Sequence, residues 1–232
     1  MNQLLTRLRD NPWTTLVSLP RNDVTLAQAA RRGGAQGLKI HLNVDHHASG
    51  THFGSWQEEK TEIARILDVA KSGGTQPIPV GIVPGGGGIF ATPDEFGDMA
   101  ACGLDFFDAY PADAPAWTLG QTDLDVMLAA YAGGSSSEIA ALEELGMTMC
   151  EASIVAQSDY GQALNARDVA CYRELAHVLS APIIVPSQKA ITPADLPALR
   201  ASGVRGILIG AIVVGREADS IEGATRAFCI AD

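Results

Sequence analysis

The sequence predicts an α/β protein, a single closed (βα)8 barrel of the TIM type assembled from two similar halves. Three observations point there. Short apolar, strand-like runs alternate with amphipathic, helix-like stretches along the 232 residues. Eight such runs occur, and each return to a neighbouring parallel strand needs a crossover helix. Spacings in the first half also recur in the second. The length fits a closed barrel, which uses about 250 residues. The alternative is an open doubly wound sheet, but the glycine run at 85–88 (GGGG) is not part of a G-x-G-x-x-G turn opening a helix.

The strands fall at 15–20, 37–44, 78–84, 106–110, 125–130, 147–155, 183–186 and 206–210, and the helices at 24–33, 56–71, 94–101, 136–145, 166–179 and 193–201. Thr92-Pro93 and Thr192-Pro193 each place a capping hydroxyl before a first-turn proline. Gly73, Gly103, Gly146 and Gly203 stand where helices must stop. In the internal repeat, Val83-Pro84, Thr92-Pro93 and Gly103 answer to Val185-Pro186, Thr192-Pro193 and Gly203, the threonines and glycines standing 100 residues apart. Gly34 and Gly146 precede the second and sixth strands at an offset of 112, which pairs Lys39 with Glu151. Two separate four-unit domains would each leave a sheet edge open, so the halves are expected to close into one domain spanning 1–232.

With 16 Lys and Arg against 27 Asp and Glu, the formal charge is −11; 47% of residues are apolar and 19% charged, a composition that excludes a disordered chain. The acidic balance, with no basic cluster beyond Arg31-Arg32, argues against nucleic acid or an anionic membrane as partner. No apolar run reaches the roughly 18 residues of a membrane span. The opening MNQLLTRLRD carries charges where a signal peptide keeps its apolar core, so a cytoplasmic protein is expected. Cys102, Cys150, Cys171 and Cys229 lack zinc-site or redox-pair spacing and read as buried free thiols. Trp13, Trp56 and Trp117 read as packing residues.

The stretch 182–216 (PIIVPSQKAITPADLPALRASGVRGILIGAIVVGR) resembles the last quarter of the ribulose-phosphate-binding barrels. That superfamily includes indole-glycerol-phosphate synthase, the histidine-pathway isomerases, the thiamin-phosphate synthases and N-acetylmannosamine-6-phosphate epimerase. The shared pattern is carried by Thr192, Pro193, Asp195, Gly203, Val204, Ile209 and Gly210. The opening half is loosely similar to small Schiff-base synthase barrels. In the superfamily a ligand phosphate sits on backbone N–H groups after strands 7 and 8. The resemblance therefore implies a phosphate handle at Gly210, Ala211 and Ile212, with Ser187 and Gln188 after strand 7. Where those barrels carry a glycine-bearing loop, this chain reads Ser187-Gln188-Lys189, and Lys189 would supply positive charge.

The chemistry concentrates on strand 2. In 37–44 (GLKIHLNV) Leu38, Ile40, Leu42 and Val44 alternate with Lys39, His41 and Asn43. Helices cover the outside of a barrel, so the apolar set faces outward and Lys39, His41 and Asn43 face the interior. A lysine there needs a carboxylate partner or a lowered pKa, and a lowered pKa would make it an amine nucleophile or a proton-transfer base. Glu151 on strand 6 and Asp108 on strand 4 interrupt apolar runs and are the partners; Tyr110 should reach the same cavity. A buried ion pair filling the barrel and a loop-capping Asp108 are the structural alternatives. Asp45, His46, His47 and His52 resemble metal ligands, but adjacent histidines on a strand point apart. The segment 45–54 (DHHASGTHFG) reads instead as a mobile loop hinged at Gly50 and Gly54, and no metal is assigned. Gly86 and Gly87 could cradle a second anionic group, and Ser18 is a weaker contact.

These readings converge on an enzyme acting on a small phosphorylated sugar or keto compound by lyase or aldolase chemistry through Lys39, with Glu151, Asp108 and His41 as catalytic partners. A cofactor-free sugar-phosphate isomerase or epimerase, and a non-catalytic phosphometabolite-binding protein, are the alternatives. No cofactor is specified. The apolar runs at 127–130 and 213–214 leave open a homodimer.

Overall fold

The computed structural model describes residues 3–72, 74, 76–121 and 123–230; Gly73, assigned above to a helix end, lies outside them. Eight parallel strands close the barrel: β1 (Thr14–Ser18), β2 (Gly37–His41), β3 (Val80–Val83), β4 (Phe106–Ala109), β5 (Asp125–Tyr131), β6 (Met149–Ser153), β7 (Ile183–Pro186) and β8 (Gly206–Ile209), with β8 paired back to β1. The helices are α1 (Gln3–Asp10), α2 (Val24–Gly33), α3 (Trp56–Ser72), α4 (Pro93–Cys102), α5 (Ser136–Glu144), α6 (Ala166–Val178), α7 (Leu196–Ser202), α8 (Ala211–Val214) and α9 (Ala218–Ile230). The β4-to-β5 connection contains a 3-10 turn, Ala116–Leu119, in place of an α-helix among its described residues.

The threonine–proline signals work as expected. Thr92 and Thr192 each form a reciprocal capping box, with Glu95 and with Asp195. Gly103 and Gly203 close α4 and α7 in the left-handed conformation, and Gly146 (φ 114°) follows α5. The repeated spacing thus carries the same cap into both halves.

Alternation sorts every strand into two packing layers. Leu38, Ile40, Phe107, Leu128, Cys150, Val185 and Ile207 join the shell between barrel and helices. Leu16, Phe106, Met127, Met149, Ile184 and Leu208 fill the interior, where Leu4, Leu5 and Leu8 of α1 join them. An amphipathic first helix therefore plugs the N-terminal end of the barrel. Phe106 is accommodated because its β3 neighbour is Gly81: a Cβ there would lie 2.0 Å from the phenylalanine ring. This apolar cluster fills the lower part of the barrel interior, so a ligand on the barrel axis would sit above it.

Several expectations need correcting. Strand β2 ends at His41 and does not run to 44. Asn43 adopts a left-handed backbone (φ 52°), donates its side-chain amide to Pro84 O at 3.1 Å, and turns the chain into a hairpin of Val44–His46 against Thr51–Phe53. The segment 45–54 is therefore a paired rim hairpin. Gly54 is no hinge, because its carbonyl accepts from Asn43 N–H at 2.9 Å and its own N–H donates to Glu59 at 3.1 Å. Cys102 is exposed and Cys150 buried, with Cys171 and Cys229 in between. Trp13 and Trp56 are buried, and Trp117 packs against Phe96. The runs considered for pairing of two copies belong to the core: 127–130 lies buried in the barrel wall, Val214 is buried and Val213 packs beside it. Among the described residues no helix is long and apolar enough to cross a membrane.

Candidate active site

Above the apolar plug, the barrel opens at its C-terminal end into a cavity of about 990 Å3. Inward positions of the strands line it, Ser18, Lys39 and His41, Asp108, Glu151 and Ser153, with Tyr110 just past the end of β4. Another groove, about 680 Å3 near Arg7, Arg31 and Gln36, opens beside the residues that precede β2 and β3 and reaches none of these groups.

Lys39 stands between the two carboxylates. Its Nζ donates to Asp108 Oδ2 at 2.6 Å and to Glu151 Oε2 at 2.5 Å, and all three side chains are buried. Strands two apart around the barrel supply them, and the 112-residue repeat offset brings Lys39 and Glu151 into contact across it. Burial alone would drive Lys39 toward the neutral amine; the attraction of Asp108 and Glu151 overcomes it and holds the ammonium above its ordinary range. The lowered lysine pKa considered above is thus replaced by a charged lysine at rest. For Asp108, burial and then the Glu151 charge push the carboxyl well above its usual range, against the pull of Lys39. Burial also works against ionised Glu151, yet Lys39 and hydrogen bonds hold it below the ordinary value. One buried ammonium can compensate one buried carboxylate, so burial favours a single negative charge shared by the two carboxyl groups.

His41 lies in the same wall but is no titrating base near neutrality. Burial, then His46 and Lys39, keep its pKa well below the usual value. Its ring packs 4.6 Å from His46 and 4.7 Å from Phe53 between centroids, and its Nδ1 is buried without a partner among the described residues. On the rim hairpin His46 bonds Ser49 at 2.8 Å and exposed His52 bonds Asp45 at 2.7 Å. Among the described residues no group of three His, Cys, Asp or Glu is arranged to hold a metal ion.

The loops after β7, β8 and β3 depart from expectation residue by residue. Lys189 does not face the cavity: it is buried against α6, its ammonium 3.7 Å from Asp168. Gln188 turns inward, but its amide is consumed by protein groups, donating to Ser153 and Tyr160 and accepting from Val155 N–H. Ser187 Oγ accepts the Gly210 N–H at 2.7 Å, so that donor is taken. Ala211 and Ile212 line the cavity at the start of α8, where backbone N–H groups lack intrahelical acceptors. On the opposite side Gly85–Gly86 pairs with Ile89–Phe90, and Asp113 accepts the Gly87 N–H at 3.1 Å. A carboxylate already occupies that turn, which disfavours a second anion beside Gly86 and Gly87. Two further polar residues, Ser153 and Tyr160, line the cavity. Ser153 follows Glu151 by two on β6, so strand parity would have placed it beside the carboxylate; Tyr160 comes from an irregular loop and carries no such signal.

The fold and this acid–base centre define the class: a TIM barrel with a buried, charge-sorted cavity at its C-terminal mouth. Solved structures agree on the fold. Thiamine phosphate pyrophosphorylase from Pyrococcus furiosus superposes with a TM-score of 0.67 at 13% identity, covering 95% of this chain and 96% of that one. A native KDPGal structure gives 0.62 at 15%, covering 96% and 94%. Ligand-free tryptophan synthase from M. tuberculosis gives 0.69 at 13%, covering 98% and 96%. No family model and no curated protein sequence matches the chain.

Proposed function

We propose that this chain is an enzyme acting on a small phosphorylated sugar or keto compound by lyase or aldolase chemistry, with Lys39 as the amine that engages the substrate carbonyl. The observation that carries this reading is the Lys39 ammonium held within hydrogen-bond distance of both Asp108 and Glu151 on the floor of an open cavity. Transfer of one proton from Lys39 to Glu151 replaces a buried ion pair by two neutral groups, a change that low polarity favours. The freed amine is a nucleophile with a proton donor, Asp108, already beside it. For the phosphate, the N–H groups of Ala211 and Ile212 and the Ser187 hydroxyl are the remaining donors. The name of one structural neighbour includes a phosphorylated compound, thiamine phosphate, in support of that assignment. The acidic charge balance accords with work in the cytoplasm.

The charged state of Lys39 favours one second reading, an isomerase or epimerase in which Lys39 polarises the carbonyl and Glu151 takes the adjacent carbon-bound proton. Incubation in deuterium oxide with phosphorylated three- to six-carbon aldoses and ketoses tests both readings by proton NMR. Exchange or cleavage next to the carbonyl is expected with one of them, falling about 10²–10⁴-fold in Lys39→Met, the span of a lost acid–base group. Binding with neither exchange nor cleavage would mark a phosphometabolite-binding protein instead.

A further inference from the structure

Ser153 stands at a junction whose hydrogen-bond directions can be worked out. Gln188 Oε1 accepts the backbone N–H of Val155 at 3.1 Å, which orients the amide and commits its two N–H hydrogens to Ser153 Oγ (3.0 Å) and the Tyr160 oxygen (2.6 Å). Ser153 therefore receives a hydrogen from Gln188 and has one of its own to give. Two groups are in reach: Glu151 Oε1 at 3.2 Å and the Tyr110 hydroxyl at 3.1 Å. A carboxylate is the stronger acceptor. With the Ser153 hydrogen on Glu151, the Tyr110 hydroxyl must be the donor to Ser153, and its lone pairs are left for the cavity that it lines.

The two carboxyl groups are then unequal. Glu151 receives Lys39 on one oxygen and Ser153 on the other. Asp108 receives Lys39 on Oδ2 and lies within hydrogen-bonding reach of Glu151, while its Oδ1 is buried with no partner among the described residues. A buried carboxylate saturated with donors holds its charge, and one with a bare oxygen holds a proton.

We propose that Ser153, held by Gln188, is a positioning residue that divides the two carboxyl groups into an ionised base, Glu151, and a neutral acid, Asp108, and that turns Tyr110 into an acceptor for a ligand hydroxyl. The roles of base and acid rest on the carbonyl chemistry proposed above; the proton placement does not. In that chemistry the Lys39 ammonium gives one proton to Glu151 and one to the carbonyl oxygen as the carbon–nitrogen bond forms. Asp108 gives that oxygen its second proton and it leaves as water. The products are a protonated imine, neutral Glu151 and ionised Asp108.

Isotope-edited infrared spectroscopy of the resting protein at pH 8, with carboxyl-13C aspartate or carboxyl-13C glutamate incorporated, reads the proton directly. Wild type should show a carboxylic-acid band that shifts only with the aspartate label and vanishes in Asp108→Asn. In Ser153→Ala the acid band should pass to the glutamate label, Ser153→Thr should return it to aspartate, and Tyr110→Phe should leave it there. Ser153→Cys, whose thiol is a weak donor, should move it in the same direction by less, and serves if the alanine variant does not fold. A glutamate acid band in wild type, a proton that stays on Asp108 in the folded alanine or cysteine variant, or one moved by Tyr110→Phe would overturn the proposal. Because no substrate is added, a correct proton placement with no carbonyl turnover would count against the enzyme reading alone.

Discussion

Lys39 holds the two buried carboxyl groups of the barrel together on the floor of the cavity, and its removal has a sharp consequence. In Lys39→Met, Glu151 is left as a buried carboxylate without a cation, next to Asp108. Removing one partner of such a pair costs about 3–5 kcal/mol. Adding Glu151→Gln, which takes away the orphaned charge, should restore a large part of that stability in denaturant unfolding. An unchanged loss in the double variant would mean that methionine packs badly, and the charge argument would fail. His46 supplies a pH signature. Burial first, and then Lys39, lower its pKa to about 4 from the ordinary 6.5. Between those values the unfolded chain binds a proton that the folded one refuses, so this residue's contribution to stability is lost as the pH falls. His46→Gln should therefore gain on wild type in melting temperature as the pH drops from about 6.5 to 4, with a constant difference above neutrality; a difference independent of pH throughout would contradict the assignment.

At the scale of elements, the short helix α8 and the end of β7 decide where an anion can sit. Ser187 has taken the Gly210 N–H and Lys189 has turned to Asp168, which leaves Ala211 and Ile212 N–H with the Ser187 hydroxyl proton. Titration with inorganic phosphate, followed by amide NMR, should shift Ala211 and Ile212 and leave Gly87 in place, because Asp113 already holds that turn. Shifts at Gly86 and Gly87 in preference would place the anion at the opposite side of the cavity and contradict this assignment. Legibility divides along the same line. Inside strands, period-two alternation predicts direction: Lys39, Asp108 and Glu151 all point inward because helices cover the other face. Beyond a strand's end the rule soon fades, although it still places Tyr110, one residue past β4, in the cavity. Asn43 bends β2 into a paired hairpin, Lys189 swings outward and Gln188 inward, and each is decided by loop contacts between residues far apart in sequence. The α1 plug is hidden from the sequence for a different reason: its leucines are spaced for a helix, but what they cover is fixed only once the barrel has closed.

For the molecule as a whole, the two halves supply complementary chemistry. The first contributes Lys39 and Asp108, the second Glu151, Ser153 and Gln188, and no single half contains both the cation and its ionised partner. The repeated capping boxes at Thr92 and Thr192 set the helices in both halves alike, while the residues at the repeat-related positions 39 and 151 carry opposite charge. The barrel also simplifies the test of its central lysine. The chain has four lysines, Lys39, Lys60, Lys71 and Lys189. Lys39 opens onto the large cavity, and Lys189 is sealed against Asp168. The most direct measurement is reductive trapping: incubation with phosphorylated ketones and aldehydes in the presence of cyanoborohydride, followed by intact mass and peptide mapping. The account predicts one adduct, on Lys39, with a substrate-like carbonyl, suppressed by inorganic phosphate and absent in Lys39→Met. Modification confined to Lys60 and Lys71, or none at any lysine while turnover proceeds, would contradict the imine and leave proton transfer as the chemistry of this site.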